Sequence, residues 1–186
     1  LVGLAICAVS APRLPVYGGC VGDGLDEIVL SSVAPADVEA IAAYHHRCWL
    51  LSFAQLLEPG VVAAMDPTGK VDRFRGWFRD ASDLSTIVAY DAGTPVGHVT
   101  VEGALVVHLF IDPDHQGRGL GRLLLGRGED LIRVGGHGSA ELHTIVGNRP
   151  AITLYESAGW VVTDRLVHNE HDGVRYDEHV LVKRFA

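Results

Sequence analysis

The sequence predicts an α/β (α+β) domain whose central mixed, mostly antiparallel sheet is flanked by helices. Three observations point to it. Val-rich, alternating runs recur at close spacing between residues 85 and 111. A strongly apolar stretch with helical periodicity follows at 119–134. Strand-like runs then return around a further helical stretch, so strands and helices are interleaved. With 186 residues, 48% of them hydrophobic and 20% charged, the chain suits one globular domain with a sizeable core.

Residues 1–26, rich in Gly and Pro, read as an N-terminal tail, and 27–186 as the domain. Glu27 to Ser31 reads as a first strand. Ala34-Pro35-Ala36-Asp37 supplies a turn and a helix start, with Asp37 placed to cap the helix or favour its dipole. Val38, Ile41, Ala42, His45 and Trp49 recur at helical spacing, which predicts a helix to about Leu51. A second helical region spans Pro59 to Asp80, with Val71, Phe74, Trp77 and Phe78 as its apolar stripe. Ser85 to Tyr90 and Pro95 to Val101 are strand-like, joined by a hairpin loop at Asp91-Ala92-Gly93-Thr94. Ala104 to Ile111 is the next strand, ended by Asp112-Pro113. The helix from Gly119 to Val134 stops at Gly135-Gly136-His137-Gly138. Glu141 to Val146 is a strand, Asn148 to Ala158 a helix closed by Gly159, and Trp160 to Val167 and Tyr176 to Lys183 a final pair of strands.

Composition narrows the function classes. A net charge of −8 argues against a nucleic-acid binder, which needs a basic face to neutralise phosphates, and suits a cationic partner such as an amine. Cys7, Cys20 and Cys48 are scattered, with no pair at metal or redox spacing, so no metal is expected and a reducing cytoplasm is the default compartment. The apolar start, Leu1 to Val9, is too short to span a bilayer, so no membrane partner is expected. His45-His46 is a poor metal pair, because adjacent residues on a helix point apart. A homodimer is compatible with all of this.

The most informative run is Gln116-Gly117-Arg118-Gly119-Leu120-Gly121 with Arg122, between a strand and a helix. Three glycines clear side chains from a backbone that a ligand's oxygens must approach. The helix start that follows offers unpaired N–H groups and the positive end of a dipole. A pyrophosphate satisfies both. Two other phosphate turns fail on spacing: no Gly-x-x-x-x-Gly-Lys-Ser/Thr exists, and counting Gly-x-Gly-x-x-Gly from Gly117 or Gly119 ends on Arg122 or Leu124.

The hydrophobic strand, Asp112-Pro113, the Gln-x-x-Gly-x-Gly run and the apolar helix together resemble motif A of the GNAT superfamily of N-acetyltransferases. Asn148-Arg149-Pro150-Ala151-Ile152-Thr153-Leu154-Tyr155-Glu156-Ser157-Ala158-Gly159-Trp160 resembles that family's Asn-x-x-Ala-x-x-x-Tyr-x-x-x-Gly-aromatic block. The resemblance implies a GNAT-like domain that takes acetyl-CoA as acyl donor and an amine-bearing small molecule or peptide as acceptor. It implies cofactor contacts at Leu109, Phe110 and Ile111, along an opened strand, at Gln116, Gly117, Arg118, Gly119, Leu120, Gly121 and Arg122, and at Asn148. It also implies Tyr155 as general acid to the leaving thiolate; a thiol near ~8.5 and a phenol near ~10 are close enough for that exchange. Asn148 has in addition a plain role as helix N-cap.

The base has three candidates. His143 stands five residues before the motif asparagine, where the ribosomal-protein acetyltransferase branch has glutamate. An imidazole near ~6.5 can take a proton from an ammonium through water. His108 lies on the strand before the glycine turn, on the face of Phe110 and opposite Leu109 and Ile111. Glu102 is a weaker third. Acceptor choice is expected from His45, His46, Trp49, Phe53, Trp77 and Phe78 in the first helices, and from His168 to Tyr176 with Glu170, Asp172 and Asp177 in the last hairpin. The aromatic positions among them equally suit a core, and the acidic hairpin a solvated turn. A non-catalytic acyl-CoA sensor is the rival reading, and the presence of a proton donor at Tyr155 argues against it.

Overall fold

Strand β1 (Ile28–Ser32) lies at one edge of the sheet, and a 3-10 turn at Pro35–Asp37 leads from it into α1 (Val38–Phe53). The computed structural model describes residues 25, 27–53, 72 and 84–171, and 174–185. The expected tail, apart from Leu25, and the expected helical region at 59–80, apart from Asp72, lie outside the described residues. Asp37 does serve the helix start: its Oδ2 accepts from Ala34 N–H at 2.8 Å and from the Tyr90 hydroxyl at 2.6 Å.

Strands β2 (Leu84–Asp91) and β3 (Thr94–Glu102) form a hairpin through Ala92 and Gly93, both at positive φ (48° and 81°). Two such corners give the turn whose twist matches paired strands. The chain continues through β4 (Leu105–Ile111), α2 (Leu120–Val134), β5 (Ser139–Ile145), α3 (Arg149–Ser157), β6 (Val161–His171) and β7 (Val174–Arg184). The seven strands are ordered β1-β2-β3-β4-β5-β7-β6, and every pairing is antiparallel except β4 with β5. The sheet is therefore mixed and mostly antiparallel, as expected. The last two strands run longer than their apolar pattern suggests. Their polar ends are zipped by His168–Asp177 (2.7 Å), Asn169–Glu178 (2.8 Å) and Glu170–Arg175 (2.9 Å).

Alternation along the strands divides the core by face. Ile87, Ala89, Val99, Val101, Leu142 and Leu181 pack beneath α2 with Leu120, Leu124, Leu125 and Ile132. Val88, with Tyr90 and Phe110, packs against Ile41, Ala42 and Tyr44 of α1. Close approach of α2 to β3 depends on glycine. A Cβ at Gly128 would sit 2.8 Å from Val99 Cγ2, and one at Gly97 3.1 Å from Leu124 Cδ1.

Candidate active site

Two irregularities of β4 shape the site. Thr100 pairs with His108 but Val101 pairs with Val106, leaving Val107 as an extra residue, a bulge that bends the strand. On its other side β4 pairs with β5 only at Leu105–Glu141 and Val106–Leu142, and the two parallel strands then part. Asp112 N–H donates to Val96 at 2.9 Å, so alternation turns the amides of Leu109 and Ile111 away from β3, toward the parting. Phe110 lies between them on β4. Its backbone faces β3, and its ring lies 3.9 Å from that of His45 on α1.

At the end of β4 the chain turns sharply. Asp112 is buried; its carboxylate accepts from Asp114 N–H at 3.1 Å and pairs with Arg47 of α1. That carboxylate holds the 3-10 turn at Pro113–His115, and Gln116 Nε2 donates back to the Ile111 carbonyl at 3.0 Å. Gly117 and Gly119 adopt positive φ (75° and 88°), and no heavy atom of the described residues lies within 4 Å of where a Cβ on Gly117 would stand. Gly119 begins α2 without any side-chain cap. An exposed glycine backbone running into an uncapped helix start fits a pyrophosphate. Arg118 is half exposed beside this turn, 3.9 Å from Asp91. The Arg122 guanidinium donates to the carbonyl (3.2 Å) and hydroxyl (2.6 Å) of Ser157, tying α2 to the end of α3. Gly121 permits that approach, with Leu154 Cδ2 3.2 Å from the place of its Cβ.

Asn148 caps α3, its Oδ1 accepting from Ala151 N–H at 3.4 Å, and Pro150 occupies the first turn, where no N–H is needed. Seven residues on, two turns along the same face, Tyr155 is buried next to Trp160, with ring centroids 6.4 Å apart. Burial pushes its phenol up to about 12, so at neutral pH it holds its proton.

The structure separates the candidate bases. His108 is buried under α1, its ring 5.3 Å from that of His45 and 5.8 Å from that of His98, and burial lowers it to about 4. His98 is held by the Tyr44 hydroxyl at 2.7 Å and is lowered well below its ordinary range, by burial and then by His108. His143 stands on β5, about a quarter exposed (27%), with Nε2 2.9 Å from Glu141 Oε1. Glu102 is exposed at the end of β3. Of the residues expected to face an acceptor, His45 belongs to the aromatic contact between α1 and the sheet; Trp77, Phe78 and Asp172 lie outside the described residues. Arg47, Glu141 and Glu178 were missed by sequence reasoning. Arg47 meets Asp112 only when α1 folds over the sheet, Glu141 stands two places from His143 along one strand face, and Glu178 comes near His143 only through the pairing of β7 with β5. Among the described residues no group of three or more His, Cys, Asp or Glu stands where it could hold a metal ion, and no helix is long and apolar enough to cross a membrane.

Comparison with known proteins places this geometry. The model of the Acetyltransferase (GNAT) family matches residues 49–160. A mycothiol acetyltransferase of Clavibacter sepedonicus is 35% identical over 138 residues, covering 72% of this chain and 42% of that protein. A ribosomal protein bS18-alanine N-acetyltransferase of Salmonella typhimurium is 36% identical over 69 residues, 37% of this chain and 47% of its own length. The chain thus spans less than half of each of these relatives. The crystal structure of PaiA N-acetyltransferase from Thermoplasma acidophilum in complex with coenzyme A superposes with a TM-score of 0.66 at 14% identity, over 85% of this chain and 99% of that one. Spermidine N-acetyltransferase from Vibrio cholerae, in complex with CoA and spermine, gives 0.63 at 21%, over 85% and 95%. At such identities the two structures speak for the fold alone.

Proposed function

The chain belongs to the GNAT acetyltransferase family, and from that membership we propose that it moves an acetyl group from acetyl-CoA to a primary amine of a small molecule or peptide. The observation that carries this reading is the parting of β4 from β5, where the amides of Leu109 and Ile111 lead into the uncapped, glycine-bordered start of α2. The names of the relatives, acetyltransferases of mycothiol and of a ribosomal-protein alanine, favour an amine acceptor. A cytoplasmic location belongs to the same reading.

When bound, acetyl-CoA supplies a thioester carbonyl open to attack by a neutral amine. The backbone from Gln116 to Gly121, with Arg118, holds the pyrophosphate. Leu109 and Ile111 orient the pantetheine arm through their amides, and Asn148 adds a side-chain contact while capping α3. Tyr155 holds a proton at Oη and gives it to the departing sulfur. His143 is the better base than His108, because it is accessible and has a carboxylate partner, whereas His108 is buried beneath α1.

An amine panel with acetyl-CoA, read by free-thiol release, tests the proposal. Release with at least one amine is expected. Tight binding of acetyl-CoA with no release from any amine would replace the enzyme with a sensor.

A further inference from the structure

Strand alternation sends Ala140 and Leu142 of β5 into the core beneath α2 and turns Glu141 and His143 to the opposite face. There β7 brings Glu178 alongside and β6 brings Arg165 and Asn169. Arg165 Nη1 donates to Glu141 Oε2 at 2.9 Å, and Glu141 Oε1 lies 2.9 Å from His143 Nε2. The Glu141 carboxyl is held below its ordinary range, first by the hydrogen bond to His143 and then by Arg165. An ionised carboxylate only accepts, so in the neutral imidazole the hydrogen sits on Nε2 and the lone pair on Nδ1.

That lone-pair nitrogen faces Glu178 Oε2 across 4.0 Å, too far for a direct hydrogen bond. Glu178 is fixed from behind by Asn169 Nδ2 at 2.8 Å. A nitrogen at ordinary hydrogen-bond distance from both atoms, about 2.9 Å, closes a triangle over the gap. Besides Glu141, the groups among the described residues that face this point are Glu178 and Tyr176 on β7 and Arg165 on β6, with His108 on the same face of β4.

We propose that Glu141 is a positioning residue that fixes His143 as the Nε2–H tautomer, and that His143 Nδ1 and Glu178 together receive the primary ammonium group of the acceptor. The inference rests on the amine acetyltransfer proposed above and names its base and its acceptor subsite. One proton passes from the ammonium to His143 Nδ1, leaving an imidazolium beside Glu141 and a neutral amine. The amine nitrogen bonds to the carbonyl carbon as the carbon–sulfur bond breaks. Tyr155 gives its hydroxyl proton to the sulfur and regains one from the nitrogen that has become the amide. His143 returns its proton to water, so ammonium and thioester become amide, thiol and one released proton.

Two readouts test this. Long-range nitrogen–proton NMR of the histidine-labelled protein reads the His143 tautomer without any substrate. Steady-state kinetics with an amine from the panel separate kcat from the two KM values. Nε2–H is expected in the wild-type protein, with Glu141→Gln losing that preference and at least tenfold in kcat, while KM for acetyl-CoA stays within twofold. Glu178→Gln is expected to raise KM for the amine at least tenfold and leave the tautomer alone. An active enzyme whose His143 is the Nδ1–H tautomer, or whose Glu178→Gln variant keeps the wild-type KM for amine, overturns this proposal and leaves the acetyltransferase reading standing. Nε2–H in a protein that acetylates no amine overturns the acetyltransferase reading and the ammonium site with it.

Discussion

At Tyr155 a core ring carries a hydroxyl that makes no hydrogen bond among the described residues, and packing and proton transfer are therefore separable there. Tyr155→Phe keeps the ring against Trp160 and removes only the proton donor. Turnover is expected to fall on the order of a hundredfold, with KM for acetyl-CoA within about twofold. Thiol-release kinetics across an acetyl-CoA series check it, and unchanged turnover removes Tyr155 from the mechanism. Tyr155, Asn148 and His143 were legible in the sequence because their separations are short and fixed by one helix and the strand end before it. Glu178 was not, since only the pairing of β7 with β5, which sets it opposite Ile145 and so diagonal to His143, brings it near from thirty-five residues away. Arg47 stayed hidden for a different reason: it meets Asp112 only after α1 folds over the sheet.

Among the elements, α2 carries the tightest constraint. Gly128 was read in the sequence as one more residue of an apolar helix, although a glycine at mid-helix weakens it by about 1 kcal/mol relative to alanine. Contact with Val99 explains its presence: a Cβ there would meet Cγ2 at 2.8 Å and lift α2 from β3. Gly128→Leu is expected to destabilise the fold by about 1–3 kcal/mol, read as a lowered denaturant midpoint. Gly126 offers a control on the same helix, because nothing among the described residues lies within 4 Å of its Cβ position. The order of strands and helices was legible from period and punctuation. The bulge at Val107 and the early end of β4–β5 pairing were not, for both are mismatches between strands and leave no periodicity within either one.

For the molecule as a whole, burying histidines between α1 and the sheet ties stability to pH. His108 is lowered to about 4, and His98 lies below its ordinary value as well, both chiefly by burial. The unfolded chain therefore binds these protons first. Their contribution is complete above about pH 6.5 and is lost as pH falls toward 4, by about 1.4 kcal/mol per pH unit for each histidine. Denaturant midpoints between pH 7 and 4.5 are expected to drop more steeply in the wild-type protein than in a His108→Asn variant, by the weight of one proton. Equal slopes would remove His108 from the acid response. A second whole-molecule feature is the buried carboxylate of Glu129 on α2. It accepts from Trp160 Nε1 at 2.8 Å and pairs with Lys183 Nζ of β7 at 2.6 Å, and Lys183 also donates to the Ala158 carbonyl at 2.7 Å. Because α2 lies on β3, this cluster anchors the second half of the chain to the first.

Seen mechanically, the parting of β4 and β5 makes the sheet two panels, β1–β4 and β5–β7, stitched by two residue pairs and the Glu141–Ala104 backbone bond. On the proposed function, a donor laid along Leu109 and Ile111 acts as a splint across that seam. Occupancy and folding free energy then become one quantity: at a hundredfold excess over its Kd the donor adds about 2.7 kcal/mol. The acyl supply that sets the rate of the reaction would thereby also set how long the protein survives unfolding.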